Sequence, residues 1–97
     1  METLNFEYAA KQPLTRRAHV GVVGSGDLEV LIEPSDTLTA QVRVRTSVGG
    51  YSQVWKAVLD RFFAHFEHAA RLEINDFGAT PGMVALRLEQ AGELVKP

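Results

Sequence analysis

The chain has 97 residues, 45% of them hydrophobic, with no cysteine and a formal charge of −2 at pH 7 when the histidines are neutral. This length favours one domain over residues 1–97, and the missing cysteine excludes a disulfide, a cysteine-based metal site and a catalytic thiol. The slightly negative net charge disfavours nucleic-acid binding. The sequence shows neither a signal-peptide pattern nor an apolar run near the ~20 residues of a membrane span, so we expect a cytoplasmic protein.

The first segment alternates apolar and polar residues. Leu4, Phe6 and Tyr8 share one face of residues 3–9, which predicts a short strand or an extended arm that docks by that face. Residues 11–17 are mostly polar and contain Pro13, so this segment is predicted to be a loop.

Two apolar runs between Ala18 and Glu33 flank the tripeptide Gly24–Ser25–Gly26 and predict a β-hairpin. With a three-residue loop, the apolar residues pair on one face: Ala18 with Ile32, Val20 with Val30, and Val22 with Leu28. A two-residue loop would place valines opposite acidic residues, so burial favours the longer one. Ser25 is then the exposed apex, and Gly26 takes the left-handed conformation that commonly ends such loops.

The second half of the chain reads as strand, helix, strand, helix. Residues 40–48 alternate between apolar and polar side chains, which predicts a strand with one solvent-exposed face. Ser52 is a candidate N-cap for a helix whose apolar face spans residues 54–66. Residues 70–76 alternate again. Thr80 and Pro81 predict the start of a last helix, whose inward row is Val84, Leu88, Ala91 and Val95. Leu86 extends an alternating pattern, so a strand is the competing interpretation of that segment.

Together these elements predict an α+β fold. We expect a two-layer sandwich, with a mostly antiparallel sheet of about four strands and two helices packed on one face. The strand–helix–strand unit is expected to form a right-handed crossover.

Few side chains are candidates for catalysis, metal binding or ligand binding. His65 and His68 have a spacing that two metal ligands use, but no third ligand is apparent, so no metal site is expected. The aromatic residues of the first helix, Trp55 among them, are expected to be core. Arg43 and Arg45 share the solvent-exposed face of the strand, where they could bind a diphosphate or an acidic partner or simply be solvated.

Ser25 is the remaining candidate. A catalytic serine needs a base and an oxyanion hole, and neither is apparent at an exposed hairpin tip, so no catalytic residue is predicted. Its glycine neighbours would let another enzyme approach the hydroxyl and modify it. The competing interpretation is an ordinary turn, because glycine and serine are common turn residues.

The motifs "VGVVGSGDLEVLIEP", "INDFGATPG" and "LRLEQA" resemble those of the acyl-carrier, or delta, subunit of malonate decarboxylase. The resemblance implies that Ser25, in the motif context of Gly24, Gly26 and Asp27, carries 2′-(5″-phosphoribosyl)-3′-dephospho-coenzyme A through a phosphodiester. It implies a carrier subunit that bears acetyl and malonyl thioesters and is not itself an enzyme.

The same resemblance implies the partners. They are the transferase (alpha) and decarboxylase (beta and gamma) subunits, the phosphoribosyl-dephospho-coenzyme A transferase that modifies the serine, and a malonyl transferase. Neither nucleic acid nor a membrane is expected as a partner. Two alternatives stay open: the carrier subunit of citrate lyase, which shares Ser25–Gly26–Asp27, and a non-catalytic adaptor whose turn serine is unmodified.

Overall fold

A computed structural model describes residues 1–22 and 24–96, which form six strands and two helices. The strands are β1 (Glu2–Ala9), β2 (Gln12–Pro13), β3 (Ala18–Gly21), β4 (Leu28–Pro34), β5 (Thr39–Thr46) and β6 (His68–Asp76), and the helices are α1 (Ser52–Phe63) and α2 (Pro81–Val95). No helix among these residues has both the length and the apolar character needed to cross a membrane.

The sheet runs in the order β1-β5-β6-β4-β3, and β2 pairs with the beginning of β6. The β1–β5, β3–β4 and β4–β6 pairs are antiparallel, whereas β5–β6 and the short β2–β6 pair are parallel. The parallel β5–β6 pair, connected through α1, is the predicted strand–helix–strand unit. β6 therefore lies at the centre of the sheet although it is the last strand in sequence.

The two-layer α+β fold is confirmed, and the strand count is corrected from about four to six. β1 pairs along its full length with β5, because the alternation of Leu4, Phe6 and Tyr8 suits an edge strand with one half-buried face. β2 lies in the segment predicted to be a loop, and Leu14 directly after it joins the core.

Both helices cover the same side of the sheet. α2 contacts β3 and β4, α1 contacts β1, and the helices contact each other. The inward residues of both layers form one hydrophobic core. Its largest fully buried side chains are Leu28, Ile32, Leu59, Leu72, Ile74 and Leu88.

The helix ends differ in how well the sequence predicts them. α2 begins as predicted: Pro81 occupies the first turn, and the Thr80 hydroxyl accepts a hydrogen bond from the Met83 N–H at 3.2 Å. It continues unbroken to Val95, so the competing strand is excluded and Leu86 is exposed. The predicted Ser52 cap is wrong, since Tyr51 holds the N-cap position and no side chain caps the helix.

α1 is also shorter than its apolar pattern predicts. It ends at Phe63, and Phe66 is buried beyond the helix rather than on it. Val48 and Val54, both predicted to face the core, are 40% exposed. Both line a cavity at the end of the sheet.

Candidate functional site

Ser25 is exposed in a turn at one end of the sheet. The Asp27 N–H donates to the Gly24 carbonyl at 3.1 Å, which closes a four-residue turn around Ser25. Gly26 has a φ of 77°, so the predicted left-handed glycine and the predicted exposed serine are both confirmed. The hydroxyl stands between two residues without side chains.

The loop is longer than the predicted three-residue hairpin. Ala18 pairs with Ile32 and Val20 with Val30 as expected, but β3 ends at Gly21 and Val22 is 61% exposed instead of pairing with Leu28. Gly21 has a φ of 83°, and a Cβ there would collide with the Leu28 carbonyl oxygen. This close backbone approach turns the chain out of the ladder. Val23 lies outside the described residues.

Two backbone hydrogen bonds join the Ser25 loop to the loop between β6 and α2. The Gly26 N–H donates to the Phe77 carbonyl at 2.7 Å, and the Phe77 N–H donates to the Asp27 carbonyl at 2.9 Å. Two separate sequence motifs thus meet here. The chain directly after Ser25 is held in place, while the Ser25 side chain stays exposed.

Asp76 supports this second loop from inside. Its carboxylate is 4% exposed and accepts hydrogen bonds from the Thr46 hydroxyl at 2.8 Å and the Ala79 N–H at 3.0 Å. Asp76 is therefore an interior residue that shapes the turn after β6.

Asp27 is anchored by α2. Both its carboxylate oxygens accept hydrogen bonds from Arg87, at 2.8 Å from Nη2 and 3.3 Å from Nε, and Oδ1 also accepts from the Leu28 N–H at 2.7 Å. The Arg87 hydrogen bonds, followed by the Leu28 N–H, lower the pKa of Asp27 below its usual 3.8. Bidentate pairing of this kind fixes direction as well as distance.

The tip of the loop has room for a bulky group. A Cβ built on Gly24 or on Gly26 would meet no atom within 4 Å. Ser25 and Gly26 are exposed, so the tip of the loop leaves space for a group attached to the Ser25 hydroxyl. These residues fit a covalently attached prosthetic group.

An apolar cavity of about 290 Å³ opens at the same end of the sheet. It lies between the first turns of α1 and α2 and the ends of β5 and β6. Its apolar walls include Val48, Tyr51, Val54, Trp55 and Val58, and Thr46 and Asp76 contribute polar atoms.

The other candidate side chains do not come together in a common site. His65 Nε2 lies 2.7 Å from Glu89, His19 Nε2 lies 2.9 Å from Glu29, and the His68 ring packs against Phe66. Within residues 1–22 and 24–96 no three His, Asp or Glu side chains cluster as metal ligands would. Arg43 lies 3.6 Å from Glu73 on the exposed sheet face, so this arginine has an acidic neighbour within the chain.

A sequence profile of the malonate decarboxylase delta subunit matches residues 15–95. The chain belongs to this family. The family predicted from the sequence motifs is therefore confirmed.

Individual members of the delta subunit family match over nearly the whole chain. The malonate decarboxylase acyl carrier protein of Azotobacter vinelandii is 54% identical, covering 98% of this chain and 97% of the relative. That of Stutzerimonas stutzeri is 53% identical with the same coverage. These names agree with a carrier subunit rather than an enzyme.

A solved structure shares the fold. One chain in the crystal structure of a Pseudomonas malonate decarboxylase hetero-tetramer in complex with malonate superimposes with a TM-score of 0.94. It is 49% identical, and the match covers 99% of this chain and all of that one. This delta subunit therefore has the architecture of a chain that is part of a multi-subunit enzyme.

Sequence reasoning missed Arg87 and Phe77. Phe77 contributes only backbone atoms, so its side chain carries no signal of the contact. Arg87 precedes the inward-facing Leu88 and therefore lies at the border of the buried face of α2. Both residues fall within motifs that carry the family resemblance, but the motifs do not indicate a contact with the Ser25 loop.

Proposed function

We propose that this delta subunit is the acyl carrier of a malonate decarboxylase and that Ser25 carries its prosthetic group. The group is 2′-(5″-phosphoribosyl)-3′-dephospho-coenzyme A, joined through a phosphodiester to the Ser25 oxygen. The observation that carries the proposal is an exposed serine on a loop that is fixed by four hydrogen bonds, to Phe77 and to Arg87, in a chain of this family.

The geometry suits a serine that is modified by another enzyme. The nearest acidic residue in sequence, Asp27, is bound to Arg87 and has a lowered pKa, which makes it a weak base for activating Ser25. The open space beside Gly24 and Gly26 lets a modifying enzyme reach the hydroxyl. We infer that this enzyme is a phosphoribosyl-dephospho-coenzyme A transferase.

When bound, the group supplies a terminal thiol that carries acetyl or malonyl as a thioester. The hydrogen-bonded loop holds the attachment point at one end of the sheet. Attachment to the protein raises the effective concentration of the acyl group at neighbouring active sites. We propose that these sites belong to the alpha transferase subunit and the beta and gamma decarboxylase subunits. A malonyl transferase supplies the malonyl group. The hetero-tetramer that contains the solved relative supports an assembly of this kind.

The first prediction tests Ser25 directly. A complex reconstituted with Ser25→Ala should assemble and release no carbon dioxide from malonate, because the arm has no attachment point. Intact-mass spectrometry after co-expression with the modifying transferase should show one adduct on the wild-type chain and none on Ser25→Ala. Ser47→Ala, which changes another exposed serine, should keep both the adduct and the activity.

The alternatives predict different results. Full activity with Ser25→Ala would rule out the proposed site and favour an adaptor with an unmodified turn. An adduct on a different residue would rule out Ser25 as the attachment site. A citrate lyase carrier would support citrate cleavage in place of malonate decarboxylation. The family match and the two relatives named above favour malonate.

A further inference from the structure

The apolar cavity lies within reach of Ser25. Thr46 and Leu28 pair with Asp76 from opposite sides, so β5, β6 and β4 end or begin at one level of the sheet. The Gly26–Phe77 hydrogen bond of 2.7 Å then connects the Ser25 loop to Gly78 in the cavity wall. With standard bond lengths along this path, the Cα atoms of Ser25 and Gly78 are at most about 12 Å apart.

The wall shared by the cavity and the loop is one continuous segment. Residues 76–80 anchor the Ser25 loop through Phe77 and line the cavity through Asp76, Gly78, Ala79 and Thr80. A flexible group attached to Ser25 can therefore fold back along this segment and enter the cavity without crossing the sheet.

The charge of the cavity selects what can enter it. Among the described residues, its lining contains no Lys, Arg or His, and its one carboxylate is that of Asp76. The Asp76 carboxylate is already held by Thr46 and the Ala79 N–H. An uncharged apolar group gains by burial here, whereas a second carboxylate would be desolvated beside a like charge with no cation to balance it.

We propose that the cavity receives the acetylated end of the arm on Ser25 and excludes the malonylated end. This inference rests on the proposed function. An acetyl thioester is small and uncharged, and a cavity of about 290 Å³ is close to the lower size of ligand pockets in proteins. The malonyl thioester carries a carboxylate and stays outside, where it is available to the decarboxylating subunits.

Trp55 reports on the cavity. It is the single tryptophan of the chain, it lines the cavity, and it is 6% exposed. The second prediction is that acetylation of the arm moves the Trp55 indole N–H resonance and shifts its fluorescence emission relative to unmodified protein. The malonylated form should leave both signals close to those of the unmodified protein.

Intact-mass spectrometry of the same samples separates the two proposals. If no arm maps to Ser25, the proposed function fails and the cavity is not in question. If the arm is present and acetylated but the Trp55 signals do not change, this inference is overturned. Equal changes with acetyl and malonyl overturn the selectivity.

Two surface variants provide a test of the cavity and its matched control. Val54→Glu places a carboxylate on a cavity-lining residue that is 40% exposed, and the acetyl-dependent change at Trp55 should fall by at least half. Leu86→Glu makes a similar change on α2, at a residue that is 49% exposed and outside the cavity lining, and should keep the full change.

Two further results would overturn the inference. One is a full acetyl response in Val54→Glu. The other is a Trp55 change that appears only when other subunits are added, equally with and without the arm, which would assign the cavity to a partner protein. Val48→Glu, at a second lining residue that is 40% exposed, repeats the test should Val54→Glu fail to fold.

Discussion

At the residue scale, the two glycines beside Ser25 look equivalent in sequence and differ in structure. Gly26 has a φ of 77°, in the region that L-residues with a Cβ rarely adopt, whereas Gly24 lies outside that region. Neither glycine has a neighbour that an added Cβ would meet. Steric clash therefore distinguishes neither position, and the expected difference between substitutions at the two glycines comes from backbone conformation.

Alanine substitutions separate these two roles. Gly26→Ala should lower the free energy of unfolding by about 1–2 kcal/mol, the usual cost of left-handed backbone for an L-residue. Gly24→Ala should be neutral or slightly stabilising, because it reduces the freedom of the unfolded chain without strain in the folded one. Urea denaturation of both variants is the measurement. Equal effects would contradict the assignment of the left-handed position to Gly26.

At the scale of elements, α2 does more than cover the sheet. Thr80 fixes where the helix begins, and Arg87, two turns later, holds Asp27 at the base of the Ser25 loop. The apolar row of α2 could be predicted because it repeats at helical spacing. The Arg87–Asp27 pair joins residues 60 positions apart, and no local pattern encodes such a contact.

This ion pair makes stability depend on pH in a defined direction. Because Arg87 lowers the pKa of Asp27 in the folded state, the unfolded state binds the proton more tightly, and stability increases with pH through that interval. The stabilisation should be complete well above pH 3.8 and disappear as pH falls through the lowered pKa.

Asp27→Asn tests the pair. The variant should be less stable than wild type near neutral pH, and the difference should shrink in acid, as measured by urea denaturation across the pH range. Asp36→Asn removes a carboxylate whose side chain is 96% exposed and controls for the loss of one surface charge. A deficit in Asp27→Asn that is independent of pH would contradict the role of its charge.

At the scale of the whole molecule, the sequence predicts the individual strands and helices better than the order of the strands in the sheet. Alternation predicts most strands, the helical spacing of apolar residues predicts both helices, and Thr80 with Pro81 predicts the start of α2, because those signals are local. The insertion of β6 between β5 and β4 depends on long-range pairing, and the close approach of Gly21 to Leu28 depends on the neighbouring strand. In the site, local turn chemistry predicted Ser25 and Gly26, whereas the anchors at Phe77 and Arg87 required the fold.

The centre of the sheet gives a whole-molecule prediction. Ile74 in β6 is fully buried and pairs with Val44 on one side and Val30 on the other. Ile74→Ala should cost about 2–5 kcal/mol of unfolding free energy, as large-to-small core changes do. Leu31→Ala, at a position that is 40% exposed, should cost about 1 kcal/mol at most. Similar losses in the two variants would contradict the central position of β6.

The central position of β6 also has a consequence for when the proposed modification of Ser25 can take place. During synthesis the β1–β5 and β3–β4 pairs can form early, but nothing joins them until residues 68–76 leave the ribosome. Phe77, which fixes the Ser25 loop, and Arg87 emerge later still. Under the proposed function, we therefore expect an enzyme that recognises the fixed loop to modify finished chains and not nascent ones, so that the order of translation delays loading until the carrier has folded.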